Sequence, residues 1–313
     1  MNKEQGTHVK ENNRKHAYCI IAHNEPEILA TLIRLIDDER NDIFILIDKK
    51  APQNITNHLA TTRAGLNIIK PMSIDWGGLS LVKAEIEILR AAMANGPYII
   101  YHIISGADLP IKDQDYIHHY VQQHPNTEFI AYSEGKTDLK DLERKTRYYH
   151  FCYTLTKHSN PLVCTLANVI DRLLTRIQRL MGIRRKYPYI LKKGTNWCSI
   201  THDLCKFIIS QSRDIVRIFN HTCAPDEFFI QSIAYSSPFV NHLHKTANME
   251  KSCMREIDWE RGYPYVWGTE DTYSDLNYLL ETDSFFARKF SAKYMGIVKM
   301  IEKHITDNRY ETI

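Results

Sequence analysis

The chain has 313 residues, with 40 Lys and Arg against 37 Asp and Glu, a formal net charge of +3. So small an excess excludes a partner dominated by nucleic acid, which would need a strongly basic footprint. A hydrophobic content of 43% is ample for a large core and excludes disorder on any large scale. No apolar run approaches the ~18 residues of a membrane-spanning helix. The seven cysteines contain no C-x-x-C pair, against both a disulfide framework and a structural zinc site.

Residues 1–16 are polar and basic with no apolar stretch behind them, so they read as a flexible tail and not as a signal peptide. Short β-rich runs then alternate with helical patterns. Residues 17–22 (AYCIIA) read as a strand. Asn24 then suits an N-cap, Pro26 the first turn, and Glu25 and Glu27 the helix dipole. Ile28, Leu29, Leu32, Ile33, Leu35 and Ile36 follow at helical spacing. Further strands are predicted at 43–47, 66–70, 98–104 and 128–132, with helices at 79–93 and 113–123. His102 inside the fourth strand reads as a core histidine with a partner. The alternation predicts an α/β fold, a central mostly parallel sheet with helices on both faces. Beyond residue 133 the pattern loosens. Residues 134–163 read as a polar, aromatic loop region, 196–201 as a strand, and 164–182, 202–218, 226–236 and 284–302 as helices. No repeat or linker divides the chain, so one domain is expected over 17–313.

In such a sheet, ligands bind beyond the carboxyl ends of the strands. Three polar groups fall there: His23-Asn24-Glu25, Asp48-Lys49-Lys50 and Ser105-Gly106-Ala107-Asp108. Asp48 is placed either to accept a hydrogen bond from a nucleoside or to close a turn. The absence of G-x-G-x-x-G and of G-x-x-x-x-G-K-[ST] removes the commonest dehydrogenase and NTPase readings. Trp76, before Gly77-Gly78, either approaches a ligand or packs. Of Trp197 and Trp259, one is expected as a sugar platform. The stretch 144–153 (RKTRYYHFCY) is a candidate acceptor loop.

Four motifs then occur in order: Trp76-Gly77-Gly78, Ser105–Lys112 (SGADLPIK), Ala224–Phe229 (APDEFF) and Ser284–Phe290 (SFFARKF). With them the chain resembles, from about Ala17 to Phe290, the glycosyltransferase family of the core-2/I-branching β-1,6-N-acetylglucosaminyltransferases and peptide O-xylosyltransferases. Residues 255–259 (REIDW) ahead of the last motif are closer to the xylosyltransferase-like branch, in a bacterial-type member. The resemblance implies a GT-A type fold, with a nucleotide-binding half at 17–132 and an acceptor and catalytic half at 133–313. It implies a UDP-sugar donor carrying N-acetylglucosamine or xylose. The acceptor would be a hydroxyl of a surface or capsular polysaccharide, a lipooligosaccharide or a glycoprotein-type glycan. It further implies inversion at the anomeric carbon, no cofactor and no bound metal.

Inverting transfer needs one base to deprotonate the acceptor hydroxyl. Pro225 and Asp226 are expected to start a helix with Glu227 in its first turn, where the dipole favours a carboxylate. Taken alone, both acids could merely complement that dipole. The resemblance makes Glu227 the base and leaves Asp226 structural. It places Arg255 and Lys289 on the diphosphate, with Arg288 beside them and Arg261 as a competitor to Arg255. The nucleotide side would be held by His23, Asn24, Asp48, Trp76 and Asp108. Asp113-Gln114-Asp115 is a D-x-D pattern, the usual metal-binding signature of GT-A enzymes. It opens a helix, however, where acids cap the N-terminus. Two rival readings are a non-catalytic UDP-sugar or glycan binder of the same fold, and a metal-dependent transferase using Asp113 and Asp115. Residues 172–193 carry eight Arg or Lys, either a solvated face or a basic helix on an anionic membrane surface. The expected location is cytoplasmic, with the inner face of the cell membrane as the place such a helix would reach.

Overall fold

The computed structural model describes residues 15–157 and 160–311, the side chains of 308–311 excepted. The strands are β1 (His16–Ala22), β2 (Asn41–Asp48), β3 (Gly65–Met72), β4 (Ile100–Ser105), β5 (Asp108–Pro110), β6 (Cys198–Thr201), β7 (Arg255–Ile257) and β8 (Phe286–Arg288). The first five helices are α1 (Pro26–Leu35), α2 (Leu79–Asn95), α3 (Gln114–Gln123), α4 (Lys136–Thr146) and α5 (Pro161–Leu180). They are followed by α6 (His202–Ser210), α7 (Ser212–Phe219), α8 (Phe229–Tyr235), α9 (Thr272–Glu281) and α10 (Met295–Glu311).

Alternation along the strands sets the layers. Tyr18, Ile20 and Ala22 of β1 face one way, with Ile43, Ile45 and Ile47 of β2, and pack under α1, α3, α9 and α10. Ala17, Cys19 and Ile21, with Phe44 and Leu46, face the other way under α2, α6 and α8. Each fully buried aliphatic side chain contributes about 1.5–3 kcal/mol, which makes this two-sided burial the main support of the sheet. The order is β3-β2-β1-β4-β6, the first four parallel and β6 antiparallel to β4. The expected mostly parallel sheet covered on both faces is therefore present. A small second sheet, β5-β8-β7, lies beyond β4 in the chain.

His102 is a core histidine. Its Nδ1 meets Ser199 Oγ at 2.7 Å and its Nε2 meets His16 Nδ1 at 3.1 Å.

Several local expectations are corrected. The tail expected over 1–16 falls largely outside the described residues, and His16 already belongs to β1. The N-cap of α1 is Glu25, in the left-handed region at φ 57°, not Asn24. Residues 128–132 form no strand; they make only isolated bridges, Glu128 to Leu243 and Phe129 to Ser199. The expected loop 134–163 contains α4 and a 3-10 turn, Tyr153–Lys157. The helix expected over 202–218 breaks at Gln211 into α6 and α7. The helix expected over 284–302 begins instead as β8, and α10 starts only at Met295.

Candidate active site

From β1 the chain winds outward through β2 and β3, then returns to the other flank of β1 as β4. That reversal opens a crevice at the carboxyl ends of β1 and β4. The backbones approach closely there: Gly106 N–H donates to Ile21 O at 3.0 Å, and a Cβ on Gly106 would stand 2.9 Å from Ala22 Cβ.

Asp48 ends β2 and is almost wholly buried. Its Oδ1 accepts the N–H groups of Lys50 and Ile74 at 3.0 and 3.3 Å. Among the described residues Oδ2 takes no hydrogen bond, so turn closure leaves it one oxygen for a ligand. His23 lies just beyond β1 and reaches solvent. Burial of its ring, then Arg288 and Lys289, hold its pKa below the ordinary imidazole value against the opposing charges of Asp48 and Glu25. The ring is therefore neutral at pH 7. Asn24 is half-buried beside it. Glu25 accepts Ser291 Oγ at 2.9 Å and Ala292 N–H at 2.7 Å, which pins the chain just after Lys289 to the 23–26 loop.

Asp108 has a positioning place. Its Oδ2 accepts Ser105 N–H at 2.8 Å, and its Oδ1 accepts Ser105 Oγ at 2.8 Å and Arg288 Nη1 at 2.7 Å. Arg288, held in this way, lies 4.8 Å from the Trp197 ring centroid. Lys289 is different. Its backbone is fixed by Tyr265 O and Trp267 N–H, while among the described residues no acid pairs with its ammonium.

Arg255 does not reach this crevice. It is 3% exposed, and its guanidinium donates to Ser199 Oγ at 2.8 Å, Cys198 O at 2.8 Å, and Cys253 O. Removing a buried donor of this kind leaves several acceptors unsatisfied, so its place in the fold is structural and the expected diphosphate contact is corrected. Its competitor Arg261 is likewise engaged, with Asp258 at 2.6 Å and Asp275 at 2.9 Å.

Glu227 lies in a separate turn, tied to the loop after β3. Pro225–Glu227 form a 3-10 turn entered through Ala224 at φ 49°, and α8 begins only at Phe229, so Glu227 stands outside the helix whose first turn it was expected to occupy. Ala224 N–H donates to Gly77 O at 3.0 Å, which ties the Trp76-Gly77-Gly78 loop to the turn. Gly194 N–H donates to Glu227 O at 3.0 Å. A Cβ at Gly194 would fall 2.0 Å from Ala131 O, so no other residue fits there. Lys145 Nζ donates to Glu227 Oε2 at 2.7 Å and pairs with Asp141 at 2.9 Å. Burial works against that ammonium, but Glu227 and Asp141 outweigh it and leave its pKa raised. Asp226 is buried behind; burial, then the Glu227 charge, push its carboxyl up to about 7. Trp76 is 70% exposed at the lip, with Lys157 Nζ 4.8 Å from its ring centroid. Trp197 is buried under Arg288, and Trp259 is exposed.

Lys145 escaped the sequence reading except as one cation of the 144–153 stretch. Its signal was the i,i+4 spacing from Asp141, which marks a helix face.

The D-x-D acids lie at the other end of the sheet. Asp113 caps α3 by accepting Tyr116 N–H at 2.7 Å, and Asp115 pairs with Arg40 at 2.7 Å, next to the amino-terminal start of β2. Gln114 Oε1 there accepts from Asn41, the first residue of β2, at 2.7 Å.

A family model described as Core-2/I-Branching enzyme matches residues 16–276. No curated protein matches the chain. Among solved structures, the apo crystal structure of mouse xyloside xylosyltransferase 1 is similar at 9% identity, covering 87% of this chain and 96% of that one, with a TM-score of 0.36.

Proposed function

The chain belongs to the Core-2/I-Branching enzyme family, and from that premise we propose an inverting, metal-independent GT-A type glycosyltransferase that moves N-acetylglucosamine or xylose from a UDP-sugar to a glycan hydroxyl. The observation that carries the reading is the local setting of two groups. Glu227 is oriented by Lys145; Lys289 has no acid partner among the described residues and follows an Arg288 that Asp108 holds in place.

The acceptor oxygen attacks the anomeric carbon as its proton passes to Glu227. The bond from that carbon to the β-phosphate oxygen breaks, and the electron pair leaves with UDP. The charge growing on that oxygen is met by Lys289 and Arg288. A cation at ~4 Å is worth about 4 kcal/mol at an effective dielectric near 20, so Lys289, with an Arg288 whose charge Asp108 partly offsets, supplies part of what a metal ion supplies elsewhere. Asp48 Oδ2, His23 and Asn24 form the nucleoside side, and Trp76 stands at the sugar lip. Asp113 and Asp115 take no part, because capping and the Arg40 ion pair already engage them.

UDP release measured over a panel of UDP-sugars, with and without EDTA, tests this. Turnover with UDP-N-acetylglucosamine or UDP-xylose is expected to be unchanged by EDTA. Loss of turnover in EDTA with full rescue by manganese would overturn the metal-independent mechanism, and release from no donor would overturn the transferase reading.

A further inference from the structure

No helix among the described residues is long and apolar enough to cross a membrane, yet α5 leaves a broad apolar stripe exposed. A surface helix ordinarily packs its apolar stripe on the core and shows its polar side to solvent. In α5 the packed face is mixed, with Val163 and Leu174 half-buried beside small and polar residues. Ala167 and Gln178 are buried on it. Gln178 Nε2 donates to Tyr149 O at 2.9 Å and its Oε1 accepts Tyr149 N–H at 2.8 Å. Asp171 Oδ2 meets His150 Nδ1 at 2.8 Å. The outward face carries Leu162, Leu166, Val169, Leu173, Ile177 and Leu180 at helical spacing, 41–87% exposed. Met181 and Ile183 extend the stripe past the helix end.

Cations border the stripe. Three of the eight in 172–193 are tied to the protein: Arg185 to Ile218 O and Asn220 O, Lys192 to Glu134, and Lys193 to Asp138 and Asp141. Arg172, Arg176, Arg179, Arg184 and Lys186 form no ion pair among the described residues. The one acid of α5, Asp171, faces inward onto His150.

We propose that α5 is an in-plane membrane helix. Its apolar face enters the boundary between headgroups and acyl chains of an anionic bilayer, and Arg172, Arg176 and Arg179, none in an ion pair among the described residues, contact the lipid phosphates. A second copy of the chain is the poorer occupant. Face-to-face pairing of two such helices would bring like cations together with no exposed acid on α5 to answer them. Residues 1–14 offer only Met1 and Val9 as aliphatic side chains and cannot match the stripe.

The helix also lies next to the candidate site. Cys164 Sγ donates to Thr156 O at 2.9 Å, in the Tyr153–Lys157 turn. From that turn Lys157 covers Trp76, and Tyr153 packs on Gly77, where a Cβ would be 3.1 Å from its hydroxyl. This turn therefore links α5, on its side away from the exposed stripe, to the Trp76 loop. On the transferase reading, with which this clause stands or falls, the acceptor is a membrane-borne glycan.

The test is co-sedimentation of the full chain, without sugar nucleotide, with phosphatidylcholine vesicles containing phosphatidylglycerol. Binding is expected at low salt and is expected to weaken on phosphatidylcholine alone. Leu166→Ser with Leu173→Ser and Leu180→Ser should lower the partition coefficient at least about tenfold, from the apolar area lost. Arg172→Gln with Arg176→Gln and Arg179→Gln should lower it about a hundredfold on anionic vesicles, at roughly fivefold per cation. In an otherwise wild-type chain, Leu173→Trp should emit at shorter wavelength when vesicles are added and be quenched by acyl-chain-brominated lipid. No vesicle binding by the wild type would overturn the proposal, as would binding that the serine variant keeps with no Leu173→Trp shift. A wild-type dimer that the serine variant dissolves, seen by light scattering, would assign the face to a second copy instead. Because no turnover is measured, failure here leaves the transferase reading intact, and an inactive protein that still binds vesicles leaves this proposal intact.

Discussion

Glu227→Gln lowers kcat by about 10²–10⁴, the usual worth of general-base catalysis, with little change in affinity for UDP. The amide keeps the size of the carboxylate, and its oxygen can still accept from Lys145 Nζ, now 2.7 Å from Glu227 Oε2. The turn is fixed from the backbone, through Gly194 N–H to Glu227 O and Ala224 N–H to Gly77 O, so neither contact depends on the substituted group. Only proton-accepting ability is removed. Asp226 cannot replace it, because that carboxyl is buried and lacks a partner at Oδ1. Near-wild-type turnover in steady-state UDP release would sink the assignment of the base.

Lys289→Ala is expected to lower kcat by about 10²–10³, the cost of removing one preorganised group that meets charge developing in the transition state. The donor KM should rise far less. A cation that merely bound the ground state would show the opposite pattern, since uniform binding affects KM and spares kcat. Lys289→Arg should recover part of the activity, limited by the different shape of a guanidinium. The unaltered Glu25 clamp on Ser291 and Ala292 should keep the local backbone in place in both variants. A wild-type kcat with a raised KM in Lys289→Ala would show that the leaving group is met elsewhere.

The sheet was legible because β1, β2 and β4 are buried on both faces and α1 and α3 carry clear start signals, Pro26 and Asp113. β1, β2, β3 and β4 each lie within a few residues of their predicted spans. What failed shares a physical cause: a short element gives too few residues for a period to declare itself. Phe286–Arg288 is a three-residue strand at the end of the short apolar run Phe285-Phe286-Ala287, too short for periodicity to tell from helix. α4 was missed because its sequence, KTDLKDLERKT, has only Leu139 and Leu142 as apolar markers. Residues 128–132 have a strand composition, yet only Phe129 bridges Ser199 of β6.

For the site, strand ends located Asp48, His23 and Asp108, and motif resemblance pointed to Glu227 and Lys289. Neither source could show that Asp108 is occupied in holding Arg288 or that Lys145 reaches Glu227 across 82 positions. Arg255 illustrates the limit from the other side. An arginine flanked by Met254 and Glu256 carries no mark of burial in its own sequence, and only the convergence of β4, β6 and β7 on it makes it structural.

The most direct measurement is the anomeric configuration of the product, read from proton NMR coupling constants as it forms from the α-linked UDP-sugar. Single displacement with Glu227 as base predicts a β-linked product from the first turnover. An α-linked product would mean double displacement or front-face attack, and would contradict the role given to Glu227.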